Sequence, residues 1–303
     1  MHNNKFNLLI VGYGAIGRLI SKFTHKNLEK VYIYTGRSKV NFKSEKIHSF
    51  NGELESILDL NLFNKIENLI VIYCVGPDKE EGYEKSTFFK KVYCLPRDFI
   101  KKLSSIQTLN TKFIHISTMI GFDDLIVSNE MSSTQKLKTN NDLYAEAKKK
   151  LDIFVESFRK KNIKCVNLRI SNLITSDYES SQRKILVRLA KNVLNGESIL
   201  LEKDLFLDMI TEEQLISALT EEFFSRDSNI SKNVVNEKVY KLEDLYKKFV
   251  FLVKNDDFIG EIKISQIKSS HNIVPRYISS FPDIKGEPID SFAEELYRHA
   301  KIN

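Results

Sequence analysis

The sequence has little of what would make a cross-linked scaffold or a chain of flexible joints. Its three cysteines, Cys74, Cys94 and Cys165, are odd in number and far apart, which excludes a disulfide framework. Neither they nor the six histidines show metal-ligand spacing, so no metal site is expected. Cys74 and Cys165 fall inside apolar runs, where a free thiol serves as a small hydrophobe. There are 11 glycines and 5 prolines but no linker-like stretch, and no internal repeat marks a solenoid. No hydrophobic run is long enough to cross a membrane, and the apolar segment near the start is too short for a signal sequence. A cytoplasmic protein without a membrane partner is therefore expected. The net charge of +6 comes from lysines scattered among acids. Without an arginine block or an aromatic platform, no nucleic-acid partner is expected.

What is present is a rhythm. Short β-branched runs at Phe6–Val11, Lys30–Thr35, Lys46–Phe50, Leu69–Val75, Lys112–Ser117 and Lys164–Ile170 alternate with helical patterns such as "AIGRLISKFTHK" and "YAEAKKKLDIFVESFRKK". The runs are apolar on both parities, as strands covered on both faces must be. Strands alternating with helices predict an α/β protein, a Rossmann-type doubly wound parallel sheet. After Ile170 the rhythm breaks. A polar stretch leads to an amphipathic helix near Ile185–Leu194, then to "ESILL" and to a helix opened by a capping box from Thr211 to Gln214. The expected division is a dinucleotide-binding domain over residues 1–174, completed by about 205–235. Residues 175–204 and 236–303 would form a smaller C-terminal substrate-binding region.

The first run ends in "VGYGAIGRLI", which places Gly12, Gly14 and Gly17 as G-x-G-x-x-G between a strand and a helix. Gly12 suits a tight turn, Gly14 lets backbone approach a pyrophosphate, and Gly17 allows close helix–strand packing. Ala15 and Ile16 open the helix, whose N–H groups face that phosphate. The strand before, the helix after and a second strand in place supply the context this motif needs. At the end of the second strand, "TGRSKV" offers Arg37 and Ser38 where an acid would meet a free ribose hydroxyl. A guanidinium can bind a 2′-phosphate that an acid would repel, so NADP(H) is expected, with NAD(H) as the alternative.

Tyr144 and Lys148 stand four residues apart, on one helix face. The strand before them ends in Ser117 and Thr118, at the carboxyl edge where doubly wound sheets bind ligands. A phenol near its ordinary pKa of about 10 is a poor base at neutral pH, and a nearby ammonium lowers that value. A tyrosine, a lysine and a hydroxyl brought together there can serve a carbonyl or an alcohol.

In this order, the glycine loop, "VIYCVGP", "HIST", Y-x-x-x-K and "NLRISNLIT" resemble the short-chain dehydrogenase/reductase superfamily, in its extended or atypical branch of NAD-dependent epimerases and dehydratases. The resemblance covers roughly the first 220 residues. It implies Thr118, Tyr144 and Lys148 as catalytic residues, with Tyr144 exchanging the proton and Lys148 also holding the nicotinamide ribose. It further implies Val75 at the cofactor, Ser117 at the substrate, and Asn172, from the Arg169–x–x–Asn172 pattern, on a substrate phosphate. A phosphorylated or nucleotide sugar is the implied substrate, and a homodimer is compatible with it. The departures are specific. Val11 stands at the first glycine of the extended-branch loop, and Lys91 stands where members carry a helical Asn. Met119 and Ile120 replace the Asp-Glu of the dehydratases and cannot transfer protons, so a dehydratase is not expected. Ile170, Ile174 and Thr175 replace further family residues, and Lys203 is the nearest cation to the usual phosphate-binding arginine. The expected activity is a reductase or epimerase, the reductase slightly favoured. The rival is a non-catalytic dinucleotide sensor or scaffold, against which the retained tyrosine speaks.

Overall fold

A computed structural model describes residues 5–23, 25–36, 40, 45–53, 56–57, 63, 66–76, 89–106, 108–119, 142–175, 185–195, 197, 199–202, 205–226, 230–254, 264–267, 279–284 and 286–301. Burial on both faces decides the strands. All six residues of β1 (Phe6–Val11) are buried, as are the last five of β2 (Leu28–Thr35) and of β4 (Asn68–Tyr73). β3 (Ile47–Asn51), β5 (Asn110–Thr118), β6 (Ile163–Ile170) and β10 (Ile230–Val234) complete one seven-stranded sheet, in the order β10-β6-β5-β4-β1-β2-β3. The pairs from β3 through β5 are parallel. β1 is flanked by β2 and β4, so the chain reverses its direction of winding there, which makes a switch point at the carboxyl end of β1.

One face of this sheet, through Leu9, Val11, Val71, Tyr73, Phe113 and Cys165, packs on Phe99, Ile100 and Leu103 of α2 (Leu95–Ser105) and on Leu151 and Val155 of α3 (Asp142–Ser157). The alternate residues Leu8, Ile10, Ile70, Ile72 and Ile114 are equally buried. The first helix, α1 (Ala15–Ser21), is shorter than its pattern predicts. Beyond it the His25 ring accepts the Asn27 N–H, and Phe23 packs edge-on to Phe223 at 5.0 Å, so the turn and the rings replace further helix. Strand β4 also stops short of the expected Val75. Its last pairing runs through the Cys74 N–H to the Val11 carbonyl, after which the chain leaves the sheet past Gly12.

The described residues form two units. One comprises those up to 119, those of 142–169, and Leu219–Lys232; the other comprises those within Ile170–Ala218 and those from Asn233 onward. In the second, β9 (Phe206–Ile210) lies between β7 (Asn172–Leu173) and β11 (Val239–Lys241), and β8 (Ile199–Glu202) pairs in parallel with β12 (Ile264–Ile267). Its core joins Leu186, Ala190 and Val193 of α4 (Ile185–Leu194), Leu245, Tyr246 and Phe249 of α6 (Leu242–Lys254), and Phe292 and Leu296 of α7 (Ile289–Lys301). The capping box opens α5 (Glu212–Phe224) as expected. The Thr211 N–H donates to Gln214 Oε1 at 2.9 Å, and the Gln214 N–H donates to Thr211 Oγ1 at 3.1 Å.

Candidate active site

The glycine loop is built by three different demands. Gly12 has φ +100°, a left-handed conformation in which a side chain is strained, and a Cβ there would meet the Cys74 carbonyl carbon and the Val75 nitrogen at 3.1 Å. Its N–H donates to the Tyr34 carbonyl of β2, which holds the turn at the sheet edge. A Cβ on Gly17 would sit 2.0 Å from the Gly12 carbonyl oxygen, so the first turn of α1 rests directly on the loop. Among the described residues, its chain neighbours apart, nothing lies within 4 Å of where a Gly14 Cβ would be. The loop is therefore closed on the protein side at Gly12 and Gly17 and open at Gly14, a shape that suits phosphates approaching backbone N–H groups. Val75 lies against this turn. The Cys74 thiol points at the Gly12 carbonyl, at 3.1 Å. Burial pushes its pKa up to about 12, against the lowering influence of the Lys148 charge.

Lys148 is 2% exposed, although the two lysines that follow it in the helix are half-buried and exposed. Its ammonium donates to the Ile116 carbonyl at 2.8 Å, next to Ser117 near the end of β5, and lies 3.1 Å from His115 Nε2. Thr118 is buried, and the Ser117 hydroxyl is buried with no hydrogen-bond partner among the described residues. Tyr144 lies one turn before Lys148 in α3; its side chain falls outside the described residues, as do Arg37, Ser38, Ile120 and Lys203.

Behind Lys148 is a group of residues that the motif did not announce. His115 Nδ1 lies 3.1 Å from Asn167 Oδ1 and 3.3 Å from Asp152 Oδ1. Arg169 Nε donates to Asp152 Oδ2 at 2.8 Å, and its Nη2 donates to Glu156 Oε1 at 3.1 Å. The Asn167 amide donates to the Asp152 carbonyl at 3.1 Å and to Ser231 Oγ at 3.0 Å, and Ser231 in turn bonds Glu156. His115, Asp152, Asn167 and Arg169 are each no more than 3% exposed. Burial, and next the Lys148 charge, hold the His115 pKa below its ordinary value, so the imidazole is neutral. Burial would raise the Asp152 pKa, but the nearness of His115 and the charge of Arg169 outweigh it and keep the carboxyl below the ordinary range. The signal was in the sequence. Tyr144, Lys148, Asp152 and Glu156 continue one spacing of four along one helix face, while Asn167 and Arg169 interrupt an apolar strand at spacing two.

Asn172 stands in the second unit, on β7. It is exposed, and its amide donates to the Asp208 carbonyl at 2.9 Å, which fixes its rotamer. The Asp208 carboxylate accepts the N–H groups of Asn236 and Glu237, the latter at φ 64°. Burial still pushes the Asp208 pKa up to about 6.

No protein-family model matches the sequence, and no curated protein matches it. Solved structures do share its fold. UDP-N-acetylglucosamine 4-epimerase from Methanobrevibacter ruminantium, in complex with UDP-N-acetylmuramic acid, is 16% identical over 98% of each chain, with a TM-score of 0.76. The dTDP-glucose 4,6-dehydratase of Bacillus anthracis in complex with NAD is 13% identical over 98% of this chain and 97% of that one, with a TM-score of 0.76. RMD from Pseudomonas aeruginosa complexed with NADPH is 13% identical over 98% and 99%, with a TM-score of 0.72. At these identities the likeness is one of architecture: the chain shares the Rossmann-type α/β fold of these epimerase and dehydratase structures.

Proposed function

We propose that this protein is a nicotinamide-dinucleotide oxidoreductase or epimerase acting on a carbonyl or secondary alcohol of a nucleotide sugar or related polar sugar. The observation that carries the reading is Lys148, a buried ammonium on the Ile116 carbonyl, one helical turn after Tyr144 and in the same unit as the open glycine loop. Gly12, Gly14, Ala15, Ile16, Gly17 and Val75 would hold the dinucleotide, which when bound supplies or takes up the hydride. The Tyr144 phenol gives or accepts the proton. Lys148 stabilises the phenolate and the ribose, and Thr118 binds the reacting oxygen. Met119 and Ile120 carry no titratable group, which favours reduction or epimerisation over elimination. Fold likeness to enzymes of known substrate supports the substrate class by analogy only.

NADP(H) is the cofactor we favour, because Arg37 and Ser38 replace an acid. NADPH should bind at least tenfold more tightly than NADH, since a charge-assisted contact contributes about 1.5–3 kcal/mol. Arg37→Ala should remove most of that gap in a calorimetric titration of both cofactors. Equal affinities in the unaltered protein would rule out the preference. A preference for NADPH also favours net reduction, because epimerases regenerate a tightly held cofactor.

The second unit would carry the substrate, with Asn172 and the stretch from Thr175 to Ser198 along its cleft; residues 176–184, 196 and 198 of that stretch lie outside the described residues. Asn172→Ala should weaken binding of UDP- or dTDP-sugars by about tenfold, the loss of one hydrogen bond to a charged group. NADPH affinity should not change. Sugar-nucleotide binding that is indifferent to the substitution would take Asn172 out of the site.

A further inference from the structure

We propose that His115, with Asn167 and Asp152 behind it, is a positioning residue for Lys148: the Asn167 side-chain oxygen, beside the Asp152 carboxylate, holds the imidazole in the tautomer whose Nε2 accepts from the ammonium, and so fixes where that charge sits and how far into alkaline pH it persists. The inference rests on the reading of Lys148 as the ammonium that serves the cofactor and Tyr144.

The hydrogen-bond geometry allows one protonation pattern. Lys148 Nζ, a donor, lies 3.1 Å from His115 Nε2, so Nε2 must present a lone pair. Nδ1 then carries the proton and donates it to Asn167 Oδ1 at 3.1 Å, with the Asp152 carboxylate oxygen Oδ1 close by at 3.3 Å but not hydrogen-bonded. The Asn167 amide is oriented independently, because its Nδ2 donates to the Asp152 carbonyl and to Ser231, which leaves Oδ1 towards the ring. The opposite tautomer would aim an N–H at an ammonium and a lone pair at two oxygens. Asp152 is itself held by Arg169 Nε at 2.8 Å and its backbone carbonyl accepts the Asn167 amide at 3.1 Å, so the order runs from Arg169 through Asp152, Asn167 and His115 to Lys148, across β6, α3 and β5.

The charged and titratable groups around Lys148 come from each element packed on it. His115 faces it from β5, Cys74 from the segment after β4, and Asp152 from its own helix, with Arg169 of β6 and Glu156 behind Asp152. With Arg169 and Lys148 positive and Asp152 and Glu156 negative, the group is neutral as a whole. Burial pulls the Lys148 pKa down to about 8, and Asp152 is the first charge that opposes the fall. The lysine is therefore an ammonium at neutral pH but close to its titration. Removing the acceptor on its buried side would tip it to the amine. A merely structural histidine would not have that effect.

The test uses NADPH as probe, titrated by fluorescence from pH 7, where its phosphates are already ionised, to pH 9.5. Affinity of the unaltered protein should fall above about pH 8, as the ammonium is lost. In His115→Leu the midpoint should move at least one unit lower, with affinity about tenfold weaker at pH 7.5. His115→Gln, whose side-chain oxygen can accept the same bond, should move back toward the unaltered profile. Equal midpoints in unaltered protein and a folded His115→Leu overturn the proposal and leave the functional reading standing. A flat profile in the unaltered protein removes Lys148 from the cofactor site, and the functional reading falls with it. In that case, or if His115→Leu does not fold, nitrogen NMR of histidine-labelled protein decides. An Nδ1–H imidazole whose Nε2 shift follows the Lys148 titration supports the relay, and an Nε2–H imidazole overturns it.

Discussion

Glu222→Ala should cost about 3–5 kcal/mol of folding stability, the typical loss when one partner of a buried ion pair is removed. Glu222 is fully buried near the end of α5 and meets two lysines, Lys112 of β5 at 2.6 Å and Lys232 of β10 at 2.7 Å. Lys112 also donates to the Ser225 carbonyl at 2.9 Å and to the Glu222 carbonyl. This cluster ties the end of α5 and the edge strand β10 to the middle of the sheet. Without the carboxylate, two desolvated ammoniums face each other. Lys112 already has its pKa lowered, chiefly by burial and against the pull of Glu222, so the variant should lower it further. The sign follows from the protons bound. The folded state then holds fewer protons than the unfolded chain, so stability rises with pH across the interval between the two pKa values. The deficit of Glu222→Ala against the unaltered protein should therefore shrink as pH is raised past the folded-state pKa of Lys112. Urea denaturation at several pH values measures it. The triple variant Lys112→Met, Glu222→Leu, Lys232→Met should recover most of the loss, because apolar packing can replace a buried ion cluster at little cost. A Glu222→Ala midpoint within experimental scatter of the unaltered protein would mean that the cluster contributes nothing.

That lysine cluster also marks where the sequence stopped being readable. Scattered lysines read as a solvated surface, and most of those described are, but Lys112 and Lys148 are 1% and 2% exposed. A charge is buried only where its partners converge, and these converge from distant segments: Glu222 lies 110 residues from Lys112, and His115 lies 33 from Lys148. What is local was legible. Five of the six sheet strands read from the sequence declared themselves by apolar residues on both parities, whereas β3, at the end of the strand order, buries neither face fully; the capping box was legible by its spacing, and the glycine loop by strand, turn and helix in succession. β10, which joins the sheet beside β6, was not singled out, because "ISKNV" carries a lysine and an asparagine in five residues. In the second unit the sequence announced the amphipathic helix near Ile185–Leu194 and the run "ESILL" but no sheet. Its strands β7, β8 and β11 span only two to four residues, too short to show a pattern of their own; Leu201 of β8 and Tyr240 of β11 join the cluster of Tyr246, Phe249 and Phe292. In the candidate site, Lys148 and the glycines were legible by spacing. Arg169 was read as part of a substrate motif, whereas its guanidinium is spent on Asp152 and Glu156.

Tyr144→Phe should reduce turnover by about 10²–10⁴-fold, the range for losing a general acid–base. The substitution removes one oxygen and keeps the ring, so melting temperature and NADPH affinity should stay nearly unchanged. The expectation depends on Lys148 being charged. Its pKa is drawn down to about 8 by burial, so below that pH it is an ammonium able to stabilise a phenolate one helical turn away, and above it that help fades. The alkaline limb of the rate profile should then report the tyrosine and lysine as a coupled pair rather than either alone. Lys148→Ala should reduce turnover and also weaken NADPH binding, because the same ammonium serves both, whereas Tyr144→Phe should reduce turnover only. If Tyr144 is instead a packing residue, the order inverts: turnover survives the loss of the hydroxyl and the damage appears in the melting temperature. Measured with a UDP- or dTDP-sugar substrate, the two variants together separate a proton donor from a surface phenol. A Tyr144→Phe protein that keeps full turnover would sink the assignment even if NADPH binds as expected.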